Sequence, residues 1–154
     1  MYNEYIDVLS KLNTFTNIKP NSYISDCKQG KKNMCLTVMV IEFKNFIKLK
    51  NEQVIYAFVV ADITGSIICN FYDDIGKKIR LGDVLYMTSC YSSVHNKILT
   101  LYSPKLNNGT MIKIDEFNLA FNLQPFLSSK IYDDQDVNMK FNNQTSNHNS
   151  QITN

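Results

Sequence analysis

Residues 60–74 read VADITGSIICNFYDD, and this stretch decides the fold. Two apolar, β-branched runs flank a polar turn centred on Thr64 and Gly65. Two such runs joined by a turn that contains glycine are typical of a β-hairpin. We therefore predict a strand over residues 54–62, a tight turn, and a second strand over residues 66–72.

Three further strands follow from the same kind of pattern. They read CLTVMVIEF (35–43), VLYMTSCYSS (84–93) and ILTLYS (98–103). Between the third and fourth strands, the polar segment DDIGKKIRLG (73–82) predicts a short helix capped by an aspartate. Five antiparallel strands with a single helical connection at this place predict an all-β, five-stranded OB-fold Greek-key barrel. A five-stranded SH3-like barrel is the nearest alternative, and the position of the helical segment disfavours it.

The two ends of the chain differ in composition from this strand-rich middle. Residues 1–21 form an N-terminal extension, in which apolar residues at helical spacing predict a short helix. Residues 22–129 form the predicted OB domain. Residues 130–154 are rich in amides and acids and have too few apolar residues to fold alone, so we expect a disordered tail there.

Composition excludes several classes of protein. No apolar run approaches the roughly 20 residues of a membrane helix, and the start lacks the pattern of a secretion signal. We therefore expect an intracellular protein. The four cysteines are widely spaced without a CxxC pair, so we expect no metal site, no disulfide and no cofactor. Cys69 lies in an apolar strand and is expected to be a small core residue.

The alternation of side chains along the strands gives the first indication of a site. In the third strand it sends Ile67, Cys69 and Phe71 into the barrel and leaves Tyr72 outside. The same rule leaves Tyr102 outside in the fifth strand. Outward tyrosines beside lysine-rich loops are typical of proteins that bind single-stranded nucleic acid. Packing of these tyrosines against a helix or a loop is the alternative.

An enzyme is not expected. Asp73 and Asp74 are adjacent on a turn, so their carboxylates diverge, whereas acid–base catalysis needs groups that converge on one reacting atom. Neither histidine has a recognisable Ser, Cys or carboxylate relay, and there is no phosphate-binding loop.

Several motifs of residues 24–121 occur together in one known family. In order, they are KQGKKN (28–33), VADITGSI (60–67), DDIG (73–76), Gly82-Asp83, Tyr91 and LTLY (99–102). With them the chain resembles the single-OB B subunits of the SOSS (sensor of single-stranded DNA) complex. The resemblance implies binding of single-stranded DNA in damage signalling and repair, in the nucleus, as a subunit held by a large helical scaffold protein.

The resemblance also implies which residues stack on bases. The family uses four aromatic side chains, and the matching positions here are Tyr72, Tyr91, His95 and Tyr102. Tyr72 stands where the family has tryptophan, and His95 stands where it has phenylalanine. Both replacements offer smaller π faces, so we expect weaker stacking per base.

The direction of Tyr91 is a separate question. Simple alternation places it on the inward face with Leu85 and Met87. The family has a glycine just before this tyrosine, which can support a bulge that turns the ring outward. Here that residue is Cys90.

The resemblance assigns phosphate contacts to Lys31 and Lys32, at one end of the groove, and to Lys48 and Lys50, in the loop between the first two strands. It assigns the scaffold contact to the pair Glu116-Phe117. Ordinary packing of a closing segment under the barrel is the alternative for Phe117. Two other functions stay open at this point: an OB-fold adaptor subunit with weak affinity for DNA, and a binder of single-stranded RNA.

Overall fold

The structure is a computed structural model, and it describes residues 19–105 and 108–133. Within these residues the strands, in chain order, are β1 (Lys31–Lys48), β2 (Val54–Asp62), β3 (Gly65–Tyr72), β4 (Asp83–His95), β5 (Ile98–Tyr102) and β6 (Met111–Glu116). Helix α1 (Asp73–Lys78) connects β3 to β4. Short 3-10 turns lie at Ile24–Asp26 and Leu127–Ser129.

Strand β1 closes the barrel because it is long enough to pair twice. Its first half, up to Met39, pairs with β4, and the remainder, from Met39 onward, pairs with β2. The closed ring runs β1-β2-β3-β5-β4 and returns to β1, with β6 added on β4. This is the topology of an OB-fold, so the predicted fold and the position of the helix between the third and fourth strands are confirmed.

Two details of the strand prediction were wrong. The pairing of β3 with β5 is parallel, because the Greek-key path brings both strands up the same side of the ring. Strand β6 was not predicted. It pairs with β4 along one edge, and Ile112 is its one buried residue. A strand that buries a single apolar side chain lacks the alternating pattern by which the other strands were recognised.

The interior is built as the alternation predicted. Ile67, Cys69 and Phe71 of β3 are fully buried, and the Phe71 ring meets Phe58 edge to face at 5.8 Å between centroids. The four cysteines are free thiols. Burial raises the pKa of Cys90 to about 12 and places the pKa of Cys69 well above its usual value. Both therefore stay neutral and act as small core side chains, as expected for Cys69.

Helix α1 begins differently from the prediction. Its N-cap is Tyr72, without a side-chain cap, so the expected aspartate cap was wrong. The Asp73 carboxylate instead accepts a hydrogen bond from the Val54 N–H at 2.9 Å, which ties the start of α1 to the start of β2. Gly76 lies against the Tyr56 ring, where a Cβ would be 2.5 Å from the nearest ring carbon. The helix can therefore cover the barrel end closely.

The segment after β6 returns to the barrel and fills the gap where β3 and β5 diverge. The Ser128 hydroxyl accepts a hydrogen bond from the Ile68 N–H at 2.8 Å and donates one to the Leu99 carbonyl at 2.7 Å. Ser128 is buried, so this hydroxyl substitutes for the missing ladder bonds between the two strands.

Contacts with the barrel continue to the Tyr132 N–H, which donates to the Lys97 carbonyl at 2.8 Å. This lies three residues beyond 129, the expected end of the domain. The predicted N-terminal helix and the remainder of the predicted tail lie outside the described residues. No helix among the described residues is both long and apolar enough to cross a membrane.

The Ser128 bridge gives a first test. Ser128→Ala is expected to lower the free energy of unfolding by about 1–3 kcal/mol, because it leaves a buried N–H and a buried carbonyl unpaired. Ser129→Ala is the matched control. Its hydroxyl bonds only within its own exposed turn, so about 0.5 kcal/mol or less is expected. Urea unfolding measures both, and equal losses in the two variants would contradict the bridge.

Candidate nucleic-acid interface

Three tyrosines meet on the outer face of the barrel. Because β3 and β5 are parallel, their last residues lie at the same end, and Tyr102 pairs with Asn70, two residues before Tyr72. On its other side Tyr102 pairs with Tyr91 of β4. We call Tyr72, Tyr102 and Tyr91 the tyrosine cluster. It unites the three tyrosines that the resemblance assigned to base stacking.

The rings of Tyr91 and Tyr102 stack on each other. Their centroids are 4.6 Å apart and their planes differ by 5°, so each ring has one face covered by the other. Tyr91 is 36% exposed, whereas Tyr72 and Tyr102 are half-buried. The faces that remain open are therefore those directed away from the stacked pair.

Burial raises the pKa of two of these phenols, Tyr72 and Tyr102. It is the main cause that raises the pKa of Tyr72, and a hydrogen bond with Tyr91 raises it further. Burial likewise raises the pKa of Tyr102, with a smaller contribution from the charge of Tyr91. Tyr72 and Tyr102 therefore carry no negative charge near neutral pH that would repel a phosphate.

A bulge in β4 turns Tyr91 outward. Leu36 of β1 faces Met87, but Met34, two residues earlier, faces Cys90, so β4 contains one extra residue. Ser89 takes up that residue in a left-handed conformation with φ of 55°. After Ser89 the alternation of inward and outward side chains is shifted by one residue, as shown by the buried Cys90 and the exposed Tyr91. The inward direction given by simple alternation was wrong for this reason, and the bend lies at Ser89 rather than at Cys90.

Lys31 and Lys32 border the cluster on the β4 side. Lys31 pairs with Ser92, the residue after Tyr91, and Lys32 is exposed. The Ser92 hydroxyl and the Gly30 N–H add hydrogen bonds between this part of the chain and β4. The backbone of the two lysines thus lies one strand away from that of Tyr91.

Lys48 and Lys50 lie on the opposite side of the cluster, in the hairpin that joins β1 to β2. This hairpin is adjacent to Tyr72, since Ile55 pairs with Tyr72. Lys48 forms an exposed ion pair with Glu52 at 3.7 Å. Exposed pairs of this kind contribute roughly 0–1 kcal/mol, so Lys48 remains free to exchange Glu52 for a phosphate.

His95 stands apart from the tyrosine cluster. It is exposed at the tip of the β4–β5 hairpin, four residues after Tyr91 on the same face of the strand. At about 3.3 Å per residue the two are roughly 13 Å apart. Its ring nitrogen lies 3.3 Å from the Asn96 side-chain amide. A nucleotide that touches His95 would not be the one that touches Tyr91.

Lys105 is a site residue that the sequence did not reveal. Its Nζ atom lies 5.4 Å from the centre of the Tyr72 ring, in the range of a cation–π contact. No motif marks it, because its position depends on the path of the chain after β5, past the buried Pro104. It adds a cation directly beside the cluster.

The predicted partner-binding pair lies at the end of β6, away from the tyrosines. Glu116 pairs with Lys113, which also contacts Asp83 at 2.9 Å. Burial lowers the pKa of Lys113, but its hydrogen bonds to the two carboxylates outweigh this effect and raise it. Phe117 is 75% exposed, with one face of its ring over Gly82.

The bulge gives a second test. Ser89→Gly is expected to keep or raise the free energy of unfolding, by up to about 1 kcal/mol, because glycine adopts a left-handed conformation without strain. Ser89→Val is expected to lower it by about 1–2 kcal/mol, because a β-branched residue disfavours that conformation. Thermal or urea unfolding of the pair measures the difference, and a stabilising valine would contradict the bulge.

Comparison with known proteins supports the fold. No protein-family model matches the chain. The solution structure of the hypothetical protein F20O9.120 from Arabidopsis thaliana is similar, with a TM-score of 0.60 and 18% sequence identity. The match covers 75% of this chain and 88% of the Arabidopsis chain. At this identity the similarity shows a shared fold.

Proposed function

We propose that this protein binds single-stranded nucleic acid, with single-stranded DNA as its ligand, without strong preference for sequence. The observation that carries the proposal is the tyrosine cluster on the outer face of an OB barrel, with lysines on both sides. Aromatic faces stack on bases at about 1–3 kcal/mol per base, and lysines neutralise phosphates. Stacking tolerates any sequence, because every base has a π face.

The arrangement suggests a path for the strand. It runs from Lys48 and Lys50 over the tyrosine cluster on β3, β5 and β4 to Lys31 and Lys32. Lys105 lies beside this path, next to Tyr72. Bases would contact the open faces of the tyrosines while the backbone follows the lysines.

The stacked pair limits the strength of binding. Tyr91 and Tyr102 cover one face of each other, so the pair offers fewer open faces than two separate rings. The chain also contains no tryptophan. We therefore expect weaker stacking than a groove with four separate aromatic rings would give.

The resemblance to the SOSS B subunits extends the proposal to a cellular role. In this proposal the protein acts in the nucleus, in the response to DNA damage and its repair, and is held by a large helical scaffold through Glu116 and Phe117. The exposure of the Phe117 ring supports a protein contact there, because large exposed aromatics are frequent at the centres of interfaces.

A second function is favoured by the same stacked pair. If Tyr91 and Tyr102 serve mainly to hold β4 against β5, the protein is an adaptor subunit with weak affinity for DNA. The small net charge of +2 favours this alternative as well.

Fluorescence anisotropy with labelled oligo-dT separates the two functions. We expect micromolar or tighter binding at physiological salt, with log affinity falling linearly with log salt by about 0.7 per phosphate contact. Tyr91→Ala should weaken binding by about 1–3 kcal/mol through loss of stacking. Tyr23→Ala is the control, because Tyr23 is also exposed but lies near the turn at Thr64, at the other end of β3. Equal affinity of the parent and Tyr91→Ala for oligo-dT would contradict the stacking model. The absence of measurable binding would support the function as an adaptor subunit.

Competition between oligo-dT and oligo-rU of equal length tests the preference for DNA. Single-stranded DNA and RNA share bases and phosphates but differ in the 2′-hydroxyl. Tighter binding of oligo-rU would replace DNA by RNA as the ligand.

A further inference from the structure

A second surface lies at the end of the barrel that α1 partly covers. It is a groove of about 390 Å³ whose floor contains Phe58 and Tyr56, and whose walls include Phe43, Ile79 and Leu81. Phe43 is 45% exposed and Leu81 is 52% exposed. Phe46 extends the apolar surface, since it is 63% exposed and its ring packs 6.1 Å from that of Tyr56. Apolar side chains exposed together in this way mark a binding site more often than isolated ones do.

The rim of this groove is basic. Lys77 and Arg80 line it, and within residues 19–105 and 108–133 no carboxylate forms an ion pair with either. Of the two aspartates in the first turn of α1, Asp73 accepts the hydrogen bond of Val54, and Asp74 lies one helical turn before Lys77. An occupant of the groove would therefore meet an apolar floor and two cations that form no ion pair with a carboxylate of the described residues.

The groove and the tyrosine cluster are on opposite faces of the β2–β3 sheet. Tyr56 and Phe58 point to the interior side, where their register partners Phe71 and Cys69 are buried. Tyr72 pairs with Ile55 and points to the outer side. A ligand in the groove would leave the tyrosines open, so this surface is independent of the proposed nucleic-acid site.

We propose that the groove binds a short acidic segment of a partner protein that carries a bulky apolar side chain. The apolar side chain fills the space over Phe58, and the carboxylates pair with Lys77 and Arg80. We choose an acidic occupant because its negative charge is complementary to the positive charge of Lys77 and Arg80.

Two other occupants fit less well. A symmetric dimer through this face would bring Lys77 and Arg80 close to the same cations of the second copy. A nucleic acid could stack on the exposed rings of Phe43 and Phe46, but the groove itself has the aliphatic walls Ile79 and Leu81 and the buried Phe58 at its floor, which give bases no open π face.

The test uses the full chain and a fluorescein-labelled peptide of sequence DEFDDLL. Arg80→Glu should weaken binding of this peptide about tenfold, because a favourable charge pair becomes a repulsive one. Lys78→Glu is the matched control: it makes a closely similar change in charge two residues away, at an exposed residue that does not line the groove. It should change the affinity less than about twofold.

Peptide variants test the apolar contribution. Replacement of Phe and Leu in the peptide by Ser, or Leu81→Ser in the protein, should also weaken binding about tenfold. Amide shifts in NMR spectra should move at Gly76, Lys77 and Leu81 when the parent peptide is added, and not at Tyr91 or Tyr102. Urea unfolding of Arg80→Glu with the midpoint of the parent would show that this variant is folded.

Three results would overturn the proposal. The first is equal affinity of the peptide for the parent, Arg80→Glu and Lys78→Glu. The second is concentration-dependent dimerisation that Leu81→Ser abolishes, which would assign the groove to a second copy. The third is a shift of the groove amides by oligo-dT rather than by the peptide.

Discussion

The parallel pairing of β3 with β5 is the constraint on which the rest of the structure depends. It extends over three residue pairs, from Ile68 with Thr100 to Asn70 with Tyr102. Without it the ring β1-β2-β3-β5-β4 would be an open sheet with unpaired edges. The pairing includes the last three residues of β5, so the two strands lie side by side toward their C-terminal ends and diverge toward their N-terminal ends. Tyr72 and Tyr102 are at the C-terminal ends of the two strands. Ser128, from the segment after β6, bonds to both strands where they diverge.

Backbone irregularities in β1 and β4 convert this closed ring into a protein with two distinct surfaces. The extra residue at Ser89 directs Tyr91 outward, onto Tyr102. Register shifts in β1, between Val40 and Glu42 and again between Phe43 and Asn45, bend its second half away from the barrel. That half carries Phe43 beyond the core, where α1 and Leu81 complete the groove. The interior and outer faces of one sheet thus present two separate surfaces, one apolar and one aromatic.

Charge is distributed in the same way. A net charge of +2 conceals lysines on both sides of the tyrosine cluster and a separate basic rim around the groove. Two acidic residues of the described part of the chain are engaged in structure: the Asp73 carboxylate bonds to the Val54 N–H at the start of β2, and Asp83 pairs with Lys113. Both proposed surfaces are consequently free to attract negative charge, one from phosphates and the other from carboxylates.

Patterns in the sequence were enough to predict the barrel, the place of its helix, and the inward and outward faces of β3 and β5. These features depend on short stretches of sequence: the alternation of apolar and polar residues in strands, the residues of a tight turn, and a polar segment that can form a helix. The tertiary structure alone decided the direction of Tyr91, the Ser128 bridge, the position of Lys105 and the groove at Phe43. Each of these depends on residues far apart in the chain, such as Ile68 and Ser128, or on a register shift of one residue, and such a shift leaves no mark in the pattern of side chains.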